Sequence, residues 1–245
     1  GDECVMDLKT SDRYRVLGRP RDPDELLLVE ADDFDDAAAV AADSDDADAA
    51  TVDSEEEAAR ADSDPDEAFA PMYVDTTGYD GALADAVASL RAGTLVDATL
   101  AWSDGDPRFE SIDVVADSVF EFYDGVTGIF ETAKQTWMVA EADNAAMNGR
   151  VTKNTDGEPN GALYVFAKQA GARDLFEEFR TGVTPLDPLV RRADRGESIP
   201  PETEQARAVF ALRPADEPFL VVYVVFRRDG VLAETLRSTY GAPDS

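Results

Sequence analysis

The chain of 245 residues contains no histidine and a single cysteine, Cys4. Without imidazole it has no histidine metal ligand and no nucleophilic relay of the Ser-His-Asp type. One thiol cannot form a disulfide within the chain or a thiolate metal cluster. These absences exclude the commonest metal sites and hydrolase triads, and we expect neither a cofactor nor a bound metal.

Apolar runs long enough to cross a membrane are also missing. No run approaches the roughly 18 apolar residues that a membrane span requires, and the first residues contain no apolar leader core. We therefore expect a cytoplasmic protein that does not contact membranes. Motifs for dinucleotides, for nucleotide phosphates, for zinc proteases and for serine hydrolases are absent too.

Most of the charged residues in the chain are acidic. Acidic residues number 53 against 22 basic ones, the net charge is −31, and 44% of the chain is hydrophobic. Such a surface repels itself at low salt, where the Debye length is about 30 Å at 0.01 M, but is screened at molar salt, where it is about 3 Å. The composition is typical of proteins from cells that accumulate salt.

Residues 31–70 differ from the rest of the chain. They contain 12 Asp, 4 Glu and one Arg, and very few residues that a core would bury. This composition predicts a disordered acidic insertion within the fold.

The remaining sequence predicts a single α+β domain spanning residues 1–245, with a mainly antiparallel sheet built from hairpins. Its central strand is Phe219–Phe226, eight apolar residues in a row. Five further predicted strands are Arg13–Gly18, Leu26–Val29, Thr94–Trp102, Phe109–Val115 and Gly161–Lys168. Ala206–Leu212, Phe219–Phe226 and Val231–Thr239 are predicted to form a C-terminal meander, with Asp229-Gly230 as its last turn.

Helical spacing of apolar residues predicts packed helices on this sheet. The predicted helices are Tyr79–Ala92, a long one from Val119 to about Met147, Arg173–Arg180 and Leu186–Ala193.

Four arginines fall within nine residues of the first hairpin: Arg13, Arg15, Arg19 and Arg21. One hypothesis is a surface that binds RNA or phosphate, which Arg227 and Arg228 would extend. The alternative is structural: Arg13 and Arg15 form the solvent face of a strand and neutralise nearby carboxylates.

All four asparagines of the chain lie within 17 residues, at Asn144, Asn148, Asn154 and Asn160, with Arg150 among them. Amide side chains both donate and accept hydrogen bonds, so these residues are candidate ligand-binding residues. The alternative is that they serve helix ends and turns, as Asn-Gly pairs often do.

Three functions stay open. The first is a non-enzymatic binding or accessory protein with an unknown protein partner, because the usual catalytic motifs are absent. The second is the RNA- or phosphate-binding role of the Arg13–Arg21 hairpin. The third is a histidine-free enzyme with its site at Asn144–Asn160, using Trp137, Asp143 and Arg150.

Three segments resemble a family of uncharacterised proteins from halophilic archaea: Tyr14–Leu17, Asp24–Glu30 and Asn154–Phe166. The resemblance covers most of the chain outside residues 31–70. It implies a provenance, but no activity and no site residue.

Overall fold

The computed structural model of the protein describes residues 8–31, 71–103, 106–168, 173–195 and 199–241. Ten strands and five helices lie in these residues. The strands are β1 (Leu8–Gly18), β2 (Glu25–Glu30), β3 (Met72–Asp75), β4 (Leu95–Ser103), β5 (Asp106–Ala116), β6 (Val119–Val126), β7 (Met147–Lys153), β8 (Pro159–Ala167), β9 (Ala208–Pro214) and β10 (Phe219–Val225). The helices are α1 (Gly81–Ser89), α2 (Glu131–Ala142), α3 (Leu175–Thr181), α4 (Asp187–Asp194) and α5 (Val231–Tyr240). Residues 32–70, nearly all of the predicted insertion, lie outside the described residues.

The strands form two sheets of five, where the sequence predicted one. Sheet 1 has the order β3-β2-β1-β4-β5 and is antiparallel throughout. Sheet 2 has the order β6-β9-β10-β8-β7, and β6 pairs with β9 in parallel. The predicted α+β class is confirmed, and so are the two N-terminal hairpins, β1–β2 and β4–β5.

Alternation along the strands sorts the side chains into three layers of core. Tyr14 and Val16 of β1 face α1 on the outer side of sheet 1, while Leu17 faces sheet 2. Between the sheets, helices α3 and α4 contribute apolar residues to the same core. The far side of sheet 2 packs against α2 and α5, and Tyr223 lies there. Every residue of the central strand β10 is buried, as predicted.

Sheet 1 curls so that its two outer strands meet. Arg108 of β5 donates to Asp75 of β3 at 3.1 Å and to the carbonyl of Thr77 at 2.5 Å. The hydroxyl of Tyr79 also accepts the backbone N–H of Phe109 at 3.0 Å. These bonds tie the two edges of sheet 1 to each other.

A glycine permits the two sheets to approach closely. Gly93, just before β4, has a φ of +102°, and a Cβ built on it would lie 2.5 Å from the backbone of Val119 and Phe120. Phe120 donates its N–H to the carbonyl of Ala92 at 2.8 Å in the same contact. A side chain at position 93 would therefore push β6 away from sheet 1.

The prediction of one helix from Val119 to about Met147 is wrong. Val119–Val126 is strand β6, and only Glu131–Ala142 is helical. Gly125 and Gly128 both have positive φ, at +64° and +65°, which interrupts any helix at the junction. The apolar spacing that suggested a helix combined a strand with apolar side chains on both faces and the inner face of α2.

The prediction that Val231–Thr239 is a strand is also wrong, because these residues lie in helix α5. The C-terminal meander is therefore a two-stranded hairpin, β9–β10, and β10 takes β8 as its other neighbour. Ala233 and Leu236 are buried three residues apart, which is helical rather than strand spacing. Among the described residues, no helix has the length and apolarity of a membrane span.

Candidate functional site

Most arginines of the first hairpin are already paired. Arg13 donates to both oxygens of Asp97, at 2.7 and 3.1 Å. Arg21 donates to both oxygens of Glu25, at 2.8 and 2.9 Å. The guanidinium of Arg19 donates to a backbone carbonyl and, at 3.0 Å, to a threonine hydroxyl. These three therefore act within the fold, and Arg13 neutralises a carboxylate on the strand surface as predicted.

Arg15 does not lie on the solvent face, so that part of the structural prediction is wrong. Only 2% of its surface is exposed, between the two sheets. All of its donors are used: Nε and Nη2 contact Asp187, Nη1 and Nη2 contact the two oxygens of Glu202, and Nη1 also contacts the carbonyl of Gly93. The ring of Phe120 lies 5.1 Å from the guanidinium carbon.

The pKa values of the two carboxyl groups on Arg15 shift in opposite directions. Burial raises the pKa of Asp187, and the single oxygen that contacts Arg15 does not offset it. The other oxygen, Oδ2, is buried without a hydrogen-bond partner. Burial would also raise the pKa of Glu202, but the Arg15 guanidinium and the Ser118 hydroxyl together hold it below its ordinary value. With both acids ionised, the three residues carry a net charge of −1.

A second buried arginine extends this network. Arg207 contacts Asp194 at 2.7 Å and the carbonyl of Phe226 at 2.8 Å. Asp194 in turn accepts the backbone N–H of Glu202 at 3.1 Å. A pocket of about 410 Å³ opens above the network, with Arg13, Arg191 and Arg195 among its lining residues. We call the residues Arg15, Asp187, Asp194, Glu202 and Arg207 the inter-sheet charge cluster.

The asparagine segment is a hairpin rather than a loop, since it contains β7 and the start of β8. Asn144 follows α2 with a φ of +54°, the conformation of a helix end. Asn148 donates from Nδ2 to the carbonyl of Thr136 at 3.2 Å and joins β7 to α2. Trp137 stacks on Phe219, with ring centroids 5.5 Å apart. These residues serve the local structure.

The other two asparagines lie at the turn between β7 and β8 and at the start of β8. Asn154 accepts the backbone N–H groups of Asp156 and Glu158, at 3.0 and 2.9 Å, and so closes the turn of the hairpin. Asn160 accepts a hydrogen bond from Thr152 at 2.8 Å, and Thr152 accepts one from the Tyr223 hydroxyl at 2.8 Å. Neither pattern uses the Nδ2 group of Asn160, which makes no hydrogen bond to the described residues.

Asn154 and Asn160 line a cleft of about 740 Å³, which we call the hairpin cleft. Its walls come from the β7–β8 turn, the end of β10, the start of α5 and the segment before β9. The lining residues are Asn154, Thr155, Asp156, Glu158, Pro159, Asn160, Ile199, Pro200, Gln205, Val225, Phe226, Arg227, Gly230, Val231, Leu232 and Thr235. Asn144, Asn148 and Arg150 are not among these lining residues, and Asp143 is exposed at the end of α2.

The hairpin cleft combines an apolar wall with polar donors. Ile199 and Leu232 are half-buried among the apolar lining residues, and Val231 is 81% exposed at the rim. Arg227 is exposed, and its side chain forms no ion pair or hydrogen bond with the described residues. Its neighbour Arg228, by contrast, pairs with Asp117 and Asp229. A cleft of this size and make-up suits a drug-sized organic molecule.

The sequence indicated only part of this cleft. Arg227 was predicted to extend a hairpin surface, but the structure puts it beside Asn160. Nothing in the sequence indicated Gln205, Ile199 and Leu232. Their segments meet only through the pairing of both β8 and β9 with β10. Among the described residues, no group of three potential metal ligands converges.

Comparison with known proteins places the chain in a family. No curated protein and no solved structure matches it. The model of a family of unknown function, DUF6663, matches residues 6–245. That match confirms the predicted membership of an uncharacterised family, while the predicted origin from halophilic archaea stays a prediction. The chain belongs to DUF6663, a family of unknown function.

Proposed function

We propose that this is a non-enzymatic binding protein that holds a small amphipathic organic anion in the hairpin cleft. The observation that carries the proposal is the unpaired Arg227 beside an apolar wall. An isolated guanidinium favours a carboxylate, phosphate or sulfonate group, and can bind it through two parallel hydrogen bonds. The free Nδ2 group of Asn160 supplies a further donor, and the wall that includes Ile199 and Leu232 suits an apolar body.

Binding fits the cleft better than catalysis. The lining hydroxyl of Thr235 donates to the carbonyl of Val231 within its own helix at 2.7 Å, so no base activates it. Glu158 accepts a hydrogen bond from Asn154 and helps to hold the turn. An enzyme would need a nucleophile or acid beside a second group that activates it.

The other two functions have less support. A nucleic-acid surface on the first hairpin needs exposed, unpaired cations, whereas Arg13 and Arg21 are held by carboxylates and Arg15 is buried. An enzyme site across the asparagine segment needs its residues to converge, whereas only Asn154 and Asn160 reach the cleft.

The net charge of −31 supports a setting for this function. We propose that the protein works in the cytoplasm of a cell that accumulates salt, where short Debye lengths screen its surface. Under such screening a ligand anion approaches the acidic protein without long-range repulsion, and the short-range contact with Arg227 decides binding.

A fluorescence titration tests the proposal. The probe is 1-anilinonaphthalene-8-sulfonate, an aromatic sulfonate, and its neutral counterpart is N-phenyl-1-naphthylamine. At a fixed molar salt concentration we expect Arg227→Gln to weaken sulfonate binding about tenfold, the loss of a charge-assisted contact. Binding of the neutral probe should be unchanged.

The matched control is Arg192→Gln, which removes an exposed arginine of α4 that is not among the cleft-lining residues. It should bind both probes as the natural chain does. If Arg227→Gln binds the sulfonate as tightly as the natural chain, or if the two arginine variants behave alike, the proposed function is wrong.

A further inference from the structure

Strand β7 is the open edge of the described sheets. The outer strands of sheet 1 are tied together through Arg108 and Asp75. The other edge of sheet 2, β6, is met by the segment around Ala92 and by Arg237 of α5, which contacts Glu121 at 2.6 Å. Strand β7 pairs with β8 on one side and with no other strand of the described chain.

The outward backbone groups of β7 follow from its register. Ala167 donates its N–H to the carbonyl of Ala146 at 2.8 Å, so position 146 faces β8. Backbone groups in an antiparallel pair face the partner at every second residue. Asn148, Arg150 and Thr152 therefore face β8, while the N–H and C=O groups of Val151 point away from the sheet. The outward N–H of Gly149 already donates to Asn148 Oδ1 at 2.8 Å, so the unpaired backbone groups lie at Val151. Unpaired groups on an edge strand are a template for a further strand.

The charge of β7 sets it apart from the other edges. It carries Arg150 and Lys153 and no acidic residue, whereas β6 carries Glu121 and Asp124 and no basic one. Neither Arg150 nor Lys153 forms an ion pair with the described residues. Two unpaired cations on one edge strand are conspicuous in a chain of net charge −31.

The same edge exposes apolar surface. Val151 of β7 is 52% exposed, and Met138 and Val139 of the neighbouring α2 are 63% and 52% exposed. Arg150 and Lys153 are three residues apart, so their side chains leave opposite faces of the strand. A strand added at this edge would meet one cation on each face and an apolar side chain between them.

We propose that β7 docks an acidic, extended peptide segment of a partner protein, which adds to sheet 2 as a sixth strand. Main-chain hydrogen bonds provide the affinity, and carboxylates three residues apart provide the selectivity. A second copy of the chain is a poorer occupant. Antiparallel pairing of β7 with itself would bring Arg150 and Lys153 close to their like-charged equivalents.

The probe is a fluorescein-labelled heptapeptide, Thr-Asp-Val-Thr-Asp-Val-Thr, followed by fluorescence anisotropy at a fixed salt concentration. Two further peptides separate charge from strand addition. One has methylated backbone nitrogens at its two valines, which keeps the charge and removes donors. The other has lysine in place of both aspartates. We expect only the first peptide to bind.

Variants of the protein test the same two contributions, charge and main-chain hydrogen bonding. Combining Arg150→Glu with Lys153→Glu should weaken binding of the probe at least about tenfold, since two exposed ion pairs become repulsions. Val151→Pro removes an N–H group that points away from β8, and should block addition while the β7–β8 ladder remains. The control combines Arg173→Glu with Arg180→Glu, the same charge change on and just before α3, and should bind within about twofold of the natural chain.

Amide hydrogen exchange in the natural chain gives a readout that does not depend on any variant. The N–H of Val151 should exchange more slowly once the peptide is bound. The proposal is overturned if the methylated peptide binds equally well, if the Val151 amide is unprotected, or if sedimentation shows that β7 instead joins two copies. Arg227→Gln should leave peptide binding unchanged, so a failure of the peptide proposal can be distinguished from a failure of the hairpin-cleft proposal.

Discussion

Arg15 donates to both carboxylate oxygens of Glu202, at 2.7 and 2.8 Å, across 187 positions of sequence. The pair joins β1 of sheet 1 to the segment that precedes β9 of sheet 2, and both side chains are buried. A buried charge that loses its partner is strongly destabilising, because water cannot replace the lost contact. The inter-sheet charge cluster is therefore where the fold should be most sensitive to polar substitution.

The two acids on Arg15 should differ sharply in their mutational effect. Glu202→Gln breaks a two-point ion pair and should lower the free energy of unfolding by about 3 kcal/mol. Asp187→Asn removes the excess negative charge and keeps one oxygen for Arg15, so it should cost only about 1 kcal/mol. Denaturant unfolding at constant salt measures both. Equal losses would contradict the assignment of Glu202 as the principal partner.

Asp187 should also affect the pH dependence of the free energy of unfolding. The pKa of Asp187 is raised in the folded protein. Protonated Asp187 therefore stabilises the fold below the pKa that it has in the unfolded chain, and this stabilisation is lost as pH rises through its pKa in the folded protein. The pKa of Glu202 is lowered in the folded protein. Ionised Glu202 therefore stabilises the fold above the pKa that it has in the unfolded chain, and this stabilisation is lost as pH falls through its pKa in the folded protein.

The melting temperature of Asp187→Asn should therefore increase relative to that of the natural chain as pH rises above about 3.9, the ordinary pKa of aspartate. A difference between the two proteins that stays constant with pH would show that folding does not raise the pKa of Asp187.

Gly93→Ala should separate the two sheets. The new Cβ meets the backbone of Val119 and Phe120 at 2.5 Å, and the φ of +102° is strained for alanine. Gly125→Ala is the control, since its φ of +64° is also positive but no atom lies within 4 Å of the Cβ that alanine would add there.

Backbone strain alone costs roughly 1–3 kcal/mol, so thermal unfolding should show a larger loss for Gly93→Ala than for Gly125→Ala. If the two losses are the same, close approach of the sheets at position 93 does not contribute to stability.

Removal of residues 32–69 should leave the described fold intact. Leu28 of β2 is paired with Met72 of β3, so the ends of the connection are already neighbours and a short turn can join them. Chemical denaturation in about 2–3 M salt, where surface charge is screened, should remain a single cooperative transition. A broad or absent transition would mean that residues 32–69 are needed for folding.

Stability should rise with salt concentration. At 0.1 M salt the Debye length is about 10 Å, and the surface charges of a chain with net charge −31 repel one another. The melting temperature should increase between about 0.1 and 2 M potassium chloride, where screening becomes nearly complete. Sorbitol of equal osmolality serves as the uncharged control. An equal increase in sorbitol would rule out charge screening as the cause.

Local sequence was sufficient for several elements. The apolar run of β10 is buried along its whole length, and the four strands of the first two hairpins overlap the predicted ranges. These features depend on the side-chain period and on turn residues, which neighbouring positions express directly.

Two elements were mispredicted for the same reason. In β6 and α5, apolar residues are dense enough to match both a helical and a strand period, so the pattern could not distinguish them. Gly125 and Gly128 ended the helical run in one case, and packing of Ala233 and Leu236 against sheet 2 selected a helix in the other.

Composition and period by themselves determined the α+β class, the central strand and the acidic character of the chain. Only the tertiary structure decided that Arg15 is buried against Glu202 and that Arg227 lies with Asn160 at one cleft. Strand order and the approach of the two sheets arise from contacts between distant segments. A charged residue in an alternating strand has the same local pattern whether water or a second sheet covers its face, so the sequence pattern could not tell these outcomes apart.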